Sequence, residues 1–219
     1  MTKIYFPSSG PSDWQAVLAD PLKHWRTGYS ARTLAACWEA ANGLPTEVAK
    51  VLGPDAELLI ALPEHKVPLP RGRESQNDIF CLVRVKSETA AVTIEGKVNE
   101  SFDVLTSQWL SAASEGKRER LRFLCAKLGL NIDQVGPLRY QLLHRTVSAI
   151  IEADRFKTDF AAMIVHSFSP QRLWFEDFRQ FASALSGEAE PDQPCWVVTP
   201  TGRRLLLGWA TGDDAFLSS

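Results

Sequence analysis

The chain lacks the features that identify membrane, secreted and repeat proteins directly. The chain has 219 residues, and none of its apolar runs approaches the length of about 18 residues that is needed to span a bilayer. The first residues lack the apolar core of a signal peptide. There is also no internal repeat and no glycine-rich phosphate loop. We therefore expect a cytoplasmic protein that does not act in a membrane.

Cysteine is scarce and scattered, which argues against a cysteine-based zinc site. The chain has four cysteines, at positions 37, 81, 125 and 195, each among apolar neighbours and far from the others. No CxxC spacing or nearby histidine pair accompanies them. The pattern predicts reduced thiols buried in the core.

An excess of positive charge is also missing. The chain has 24 basic and 26 acidic residues, a net charge of −2, so it has no overall attraction to nucleic acid. Any binding of nucleic acid would depend on a local basic patch. One basic helix flank is a candidate for contact with phosphates, and an ordinary solvated helix face is the alternative. Its basic residues are Lys117, Arg118, Arg120, Arg122 and Lys127.

The stretch 76–102, QNDIFCLVRVKSETAAVTIEGKVNESF, contains the most informative pattern. Residues 79–85 and 91–98 are rich in aliphatic side chains and are separated by a short polar turn, which predicts a β-hairpin. Asp78 opens the first strand, whereas Glu95 and Lys97 end the second. Because paired strands run antiparallel, the three charged groups are expected to meet on one side of the hairpin.

Two neighbouring carboxylates and an amine suit metal-assisted hydrolysis of a phosphodiester. Carboxylates that lie close together repel each other unless a cation neutralises them, and hard oxygen ligands suit Mg²⁺. A lysine beside such a cation can orient a water or stabilise charge on a phosphate. The alternative is a hairpin with an exposed charged end, or a salt bridge between Lys97 and Asp78 or Glu95.

Asp78, sixteen residues, and then Glu95-Gly96-Lys97 resemble the motif of the PD-(D/E)XK nuclease superfamily, with Asn77 in place of the motif's proline. More locally, five segments look like an uncharacterised bacterial domain family assigned to the same fold. These segments are HWRTGYSARTLA, PEHKVPLP, SQNDIF, LRYQLLHRT and MIVHSFSP.

The resemblance implies a nuclease, and it assigns roles to the residues of the motif. Asp78 and Glu95 would bind Mg²⁺, or Mn²⁺ in its place, together with the carbonyl of Gly96. Lys97 would assist the attacking water.

The resemblance also implies contributions from two helices. Glu39 on the first core helix would be a further metal ligand, with Glu47 as the second choice and a solvated surface glutamate as the alternative. Gln141 and Arg145, on the helix after the hairpin, would act near the metal and the phosphate, with Arg139 on the same helix as a substrate contact.

A proline-broken charged segment precedes Asp78 and is a candidate substrate contact. It contains Glu64, His65 and Lys66, and loops at the mouth of a site often contribute to function. His65 and Lys66 are our candidates for substrate binding, and a plain surface loop is the alternative.

The order of elements predicts an α/β fold. Helix, three strands, helix and strand follow one another over residues 30–168, and a helix before the last strand suits a crossover connection. This order is similar to the restriction-endonuclease-like αβββαβ core, a central mixed sheet flanked by helices. We expect a single domain over residues 1–219, with N-terminal additions and a C-terminal helix and hairpin over residues 169–219.

The function predicted from these residues is a Mg²⁺-dependent nuclease, a hydrolase that acts on DNA or another nucleic acid, with DNA favoured over RNA. The alternative is an inactive nucleic-acid-binding or protein-interaction domain that retains the nuclease fold. The tail aromatics are expected in the core, although an exposed Trp196 or Trp209 would suit a homodimer interface.

Overall fold

The structure is a computed structural model that describes residues 10–18 and 21–219, without the side chains of residues 23 and 24. A short apolar segment expected at residues 3–6 lies outside the described residues. Within them the chain has a mixed α/β fold, in which a six-stranded mixed sheet is flanked by helices. No helix in the described part of the chain combines the length and apolar character needed to cross a membrane.

The order of helices and strands over residues 30–168 is the order expected from the sequence. The helices are α1 (Pro21–His24), α2 (Ser30–Ala41), α3 (Thr46–Leu52), α4 (Thr106–Trp109), α5 (Glu115–Leu128), α6 (Tyr140–Phe156) and α7 (Phe175–Ala184). The strands are β1 (Ala56–Val67), β2 (Ser75–Val85), β3 (Glu88–Lys97), β4 (Phe160–Ser167), β5 (Pro194–Val198) and β6 (Arg204–Thr211). Two 3₁₀ helices, Pro11–Val17 and Asp214–Ser218, lie at either end.

The strand order in the sheet is β1-β2-β3-β4-β6-β5. The first three strands form an antiparallel meander, and β5 pairs antiparallel with β6. The central strands β3, β4 and β6 are parallel. The connection from β3 to β4 contains α6, as expected for a crossover between parallel neighbours.

Strand β1 includes the beginning of the proline-broken segment ahead of Asp78, so the alternative of a plain surface loop was wrong for these residues. The strand continues to Val67, and Pro63 pairs with Ile79 of β2. An edge strand tolerates proline because one side of it has no partner that needs the missing N–H. As a result, the segment from Glu64 to Val67 is part of the sheet rather than of a loop.

Two hydrophobic clusters cover the two faces of the sheet. One lies between the sheet and α2 and α3, and it includes Trp38 and Ile94. The other lies between the sheet and α5, α6 and α7, and it includes Phe80 and Trp209. Each helix therefore buries its apolar side against one face.

The folded chain confirms the expected burial of one tail aromatic and changes the assignment of one basic residue. Trp209 is fully buried, so it is a core residue and not part of an exposed surface, whereas Trp196 on the edge strand β5 is 43% exposed. Arg120 was expected on a solvated helix flank, but only 7% of it is exposed. Its Nη1 donates hydrogen bonds to the carbonyls of Arg71 and Arg73, at 2.8 and 2.6 Å. These bonds explain how a charged side chain is retained inside the protein.

Candidate metal centre

Three acidic residues stand side by side on three neighbouring strands. Pro63 and His65 of β1 pair with Ile79 and Asn77 of β2, so Glu64 stands opposite Asp78. Ile79 pairs with Ile94 of β3, so Asp78 and Glu95 stand opposite each other one position further along the two strands. Opposite residues on paired strands have Cβ atoms about 4.5–5.5 Å apart. The sheet therefore brings three carboxylates together in one row.

The three carboxylates open into one cavity of about 440 Å³. The other polar residues that line it come from several elements: Ser30, Gln76, Lys97, Glu100, Gln141 and Arg145. Tyr29 and the start of α2 form part of the rim, and Glu100 accepts a hydrogen bond of 2.9 Å from the Ser30 amide. The cavity is thus polar, with strongly acidic and basic groups side by side.

Glu95 is the most tightly bound of the three acids. Its Oε1 accepts hydrogen bonds from Lys97 Nζ and from Gln141 Nε2, each at 2.7 Å. Its Oε2 accepts a hydrogen bond of 2.6 Å from Nε of Arg145. Burial by itself would raise the pKa of Glu95, but Arg145 and Lys97 outweigh burial and lower it. Glu95 is therefore a carboxylate at neutral pH.

The negative charge of Asp78 is compensated less well by neighbouring cations than the charge of Glu95. Its Oδ2 accepts a hydrogen bond of 2.7 Å from the Gly96 amide, which ties the start of β2 to the end of β3. Burial, followed by repulsion from Glu95, raises the pKa of Asp78 to about 7, against the opposing effect of Arg145 and Lys97. This carboxyl group can bind or release a proton near neutral pH.

Glu64 is the third acid of the row, and it belongs to the segment that the sequence analysis treated as a loop and a candidate contact. Its backbone has a φ of 54°, in the left-handed region that non-glycine residues rarely adopt. Its Oε2 accepts a hydrogen bond of 2.5 Å from Gln76. Burial, followed by repulsion from Asp78, raises the pKa of Glu64 to about 8. Strained backbone of this kind is concentrated at functional sites.

The predicted residues Asp78, Glu95, Lys97, Gln141 and Arg145 all line this cavity. Gly96, which was predicted to offer its carbonyl, uses its amide to hold Asp78. The hairpin positions these groups on one side of the sheet, and the first two turns of α6 supply the rest.

Four other predicted residues lie elsewhere. Glu39 accepts a hydrogen bond of 2.7 Å from the indole of Trp14 and does not line the cavity. His65 lies 3.5 Å from the buried Glu152 and stacks on Phe80.

Lys66 is exposed and Arg139 is engaged at another surface; neither lines the cavity. Arg139 forms an ion pair of 2.9 Å with Asp177 and lies over the ring of Trp174.

Glu47, the second choice for a helix-derived ligand, belongs to a different cluster. This cluster consists of Cys37, Glu47 and His166. Each offers one atom that could bind a metal ion, and these three atoms lie within 4.8 Å of one another. His166 Nε2 is 2.7 Å from Glu47 Oε1, and the Cys37 thiol donates to the same oxygen at 3.6 Å. These residue types are typical of zinc sites.

The hydrogen bonds of His166 argue that this cluster is structural. The indole N–H of Trp38 donates to Nδ1 of His166 at 3.3 Å, so Nδ1 has a lone pair and the ring proton is on Nε2. A metal on Nε2 would require the proton to move to Nδ1, directly against the indole N–H. The cluster instead connects α2 and α3 to the end of β4.

Comparison with known protein families gives a match that covers most of this chain. A family model described as Domain of unknown function (DUF6946) matches residues 7–214. No curated protein and no solved structure matches the chain.

Proposed function

We propose that this chain, which belongs to the family described as Domain of unknown function (DUF6946), is a Mg²⁺-dependent phosphodiester hydrolase that acts on nucleic acid, with DNA as the first substrate to test. One observation supports this proposal above all: Glu64, Asp78 and Glu95 form a row across three strands and open into one cavity with Lys97. Carboxylates gathered at such a position are the ligands that Mg²⁺ prefers.

The set of charges in the cavity fits a divalent cation. Glu95 is already balanced by Lys97 and Arg145. Burial, followed by repulsion from a neighbouring carboxylate, raises the pKa of Asp78 and of Glu64, and the protein's own cations do not fully offset this. Asp78, Glu95 and Glu64 would hold a divalent cation, and its charge would relieve the repulsion among the carboxylates. Mn²⁺ would fit the same oxygen ligands.

Each residue of the cavity has a defined part in this proposal. A bound Mg²⁺ would supply a water of lowered pKa and neutralise charge on the phosphate. Lys97, held by Glu95 and 5.1 Å above the ring of Phe102, would orient the water and stabilise developing charge. Gln141 and Arg145 hold Glu95 in position, and Arg145 would also face the phosphate.

The fold supports the same reading. The succession of α2, β1, β2, β3, α6 and β4 corresponds to the αβββαβ order of the restriction-endonuclease-like core. We therefore propose that residues 30–168 form such a core and that the segments on either side of it are additions. The roles of Asp78, Glu95 and Lys97 then follow from the resemblance to the PD-(D/E)XK motif.

The test is metal-dependent cleavage by variants that leave the fold intact. Labelled duplex and single-stranded oligonucleotides are incubated with Mg²⁺, with Mn²⁺ or with a chelator. Asp78→Asn and Glu95→Gln should each reduce cleavage by at least about 100-fold, whereas the surface variant Asp133→Asn should cleave normally. Thermal melting checks that every variant is folded. Cleavage that survives both cavity substitutions would show that the active site lies elsewhere.

The hydrogen bonds of Glu95 favour a second candidate function, that of a nucleic-acid-binding or protein-interaction domain without catalysis. Both oxygens of Glu95 already accept hydrogen bonds from side chains of the protein. Calorimetric titration with Mg²⁺ and Mn²⁺ separates the two functions. A stoichiometric site that disappears in Glu95→Gln supports the hydrolase, and no heat of binding, even with an oligonucleotide present, supports the binding domain.

A further inference from the structure

A second cavity, of about 480 Å³, is lined by His144, the neighbour of Arg145 on α6. Its basic lining consists of Arg71, Arg73, Lys117 and Arg120. Two acidic residues, Glu74 and Asp103, also line it, and Arg71 is paired with Glu119 outside the lining at 2.8 Å. The cavity therefore has more positive than negative side chains, although the whole chain has a slight negative charge.

The two cavities share a hydrogen-bonded wall. Arg145, which lines the metal centre, donates from Nη1 to the hydroxyl oxygen of Ser75 at 3.3 Å. The Ser75 hydroxyl is also 2.8 Å from Nδ1 of His144, which lines the second cavity. One lining residue of each cavity, Arg145 and His144, is thus hydrogen-bonded to the same Ser75 hydroxyl.

The Ser75 hydroxyl joins His144 to Arg145. Arginine only donates, so Arg145 occupies one lone pair of the Ser75 oxygen, and the hydroxyl can still donate to Nδ1 of His144 or accept from it. Burial, followed by the charges of Arg145 and Arg120, lowers the pKa of His144 well below its usual range. The ring of His144 is therefore neutral near pH 7, and one of its two nitrogens is a hydrogen-bond donor.

Other polar groups border the cavity. The Tyr140 hydroxyl and Arg120 lie against each other in residues that are 5% and 7% exposed, and the hydroxyl proton of Tyr140 has no acceptor. The start of the fourteen-residue helix α5 contributes Gly116 and the capping residue Ser114. The N-terminal end of a helix has a partial positive charge and free N–H groups. The cavity thus combines cationic side chains, the Tyr140 hydroxyl and a helix N-terminus, and this combination suits an anion.

We infer that this second cavity binds a phosphate group of the nucleic-acid strand whose reacting phosphodiester lies in the metal centre. The inference depends on the proposed function for the identity of the strand. It is carried by the basic lining and by the Ser75 hydroxyl, which joins His144 of this cavity to Arg145 of the metal centre. A phosphate held there would fix the register of the strand without reading its sequence.

The test measures binding without any cleavage. Fluorescence anisotropy follows a labelled single-stranded oligonucleotide in the presence of a chelator, over a series of salt concentrations. Arg73→Glu reverses a charge on an exposed lining residue, and Arg118→Glu makes the same change on an exposed residue of α5 that does not line the cavity. The double variant Arg73→Ala with Lys117→Ala repeats the test without adding a negative charge.

We expect Arg73→Glu to weaken binding by about tenfold and to reduce the slope of log K against log salt by about 0.7, the value for one phosphate contact on a single strand. Arg118→Glu should change both quantities much less. Equal effects of the two variants, or no effect of Arg73→Glu and of the double variant, would overturn the inference.

Inorganic phosphate distinguishes a strand from a free anion. The oligonucleotide should bind the wild-type protein more tightly than inorganic phosphate does in competition, and equal affinities would overturn the assignment to a strand. The metal centre is tested separately by cleavage and by Mg²⁺ titration. A protein that cleaves nothing but shows the expected binding pattern would contradict the proposed hydrolase while leaving the anion site in place.

Discussion

Lys97 donates a hydrogen bond of 2.7 Å to Glu95, two residues earlier on the same strand, and both side chains are almost fully buried. Alternate residues of a strand point to one face of the sheet, so the pair is a direct consequence of the spacing. The ion pair compensates one of the three carboxylates of the row. Glu64 and Asp78 are left with less compensation, and this asymmetry determines the behaviour expected of the site.

Replacing Lys97 with methionine should separate catalysis from metal binding. Methionine is similar in length but has no amine, so cleavage should fall by about 100-fold or more because charge on the phosphate is no longer stabilised. Mg²⁺ affinity should be retained, since Lys97 is not a ligand and its loss exposes Oε1 of Glu95. Calorimetry gives the affinity and single-turnover cleavage gives the rate.

The exposed Lys66 provides the control for this change, because it lies outside the cavity. Lys66→Met should leave the rate unchanged. If Lys97→Met unfolds the protein and the remaining folded fraction cleaves at the normal rate, the ion pair is only structural.

Binding of Mg²⁺ should release protons. At pH 7 a group with a pKa of about 7 is half protonated and one with a pKa of about 8 is mostly protonated, so Asp78 and Glu64 together hold about one and a half protons. A cation requires the deprotonated forms, and both should lose their protons when it binds. Calorimetry in two buffers of different ionisation enthalpy gives the number released. In Glu64→Gln the number should fall to about half a proton; an unchanged number would show that Glu64 does not contact the cation.

The metal-free protein should lose stability as the pH rises from 7 to 8.5. Asp78 and Glu64 have folded-state pKa values above those of the unfolded chain, so their contribution to stability is complete only below the unfolded pKa of about 4. It decreases as the pH rises from there, and its last part is lost as the pH passes through about 7 and 8. We expect a decrease of about 1–2 kcal/mol in the free energy of unfolding, measured by urea denaturation.

The double variant Asp78→Asn with Glu64→Gln should show a flatter dependence on pH over the same range. Saturating Mg²⁺ should also flatten it for the wild-type protein. An identical decrease in the double variant would assign the effect to other groups.

The cluster of Cys37, Glu47 and His166 should not bind a transition metal through the thiol. Burial, followed by repulsion from Glu47, raises the pKa of the Cys37 thiol far above its usual value, and Trp38 holds the ring proton of His166 on Nε2. Titration with Co²⁺ should therefore give no thiolate charge-transfer absorption. An absorption band that appears with one equivalent and disappears in Cys37→Ser would contradict the structural role.

The sequence was sufficient for the features that depend on local pattern. Strand periodicity and turn residues located the hairpin that contains Asp78, Glu95 and Lys97, because alternation between the two faces of a strand is visible in the chain itself. Helical periodicity likewise located α6 and with it Gln141 and Arg145, which the structure brings to the same cavity.

Features that depend on long-range pairing were decided only by the tertiary structure. The pairing of β1 with β2 carries the strand past Pro63, places Glu64 opposite Asp78 and makes it the third acid of the row. Glu39 and His65 lie outside the predicted site because each contacts a residue far away in the chain. Trp14 binds Glu39, and Glu152 lies beside His65. By itself the sequence determined where the hairpin and the main helices lie and which of their side chains share a face. The register between strands, and the partner that each charged side chain finds, depend on contacts between residues far apart in the chain, and no local pattern contains them.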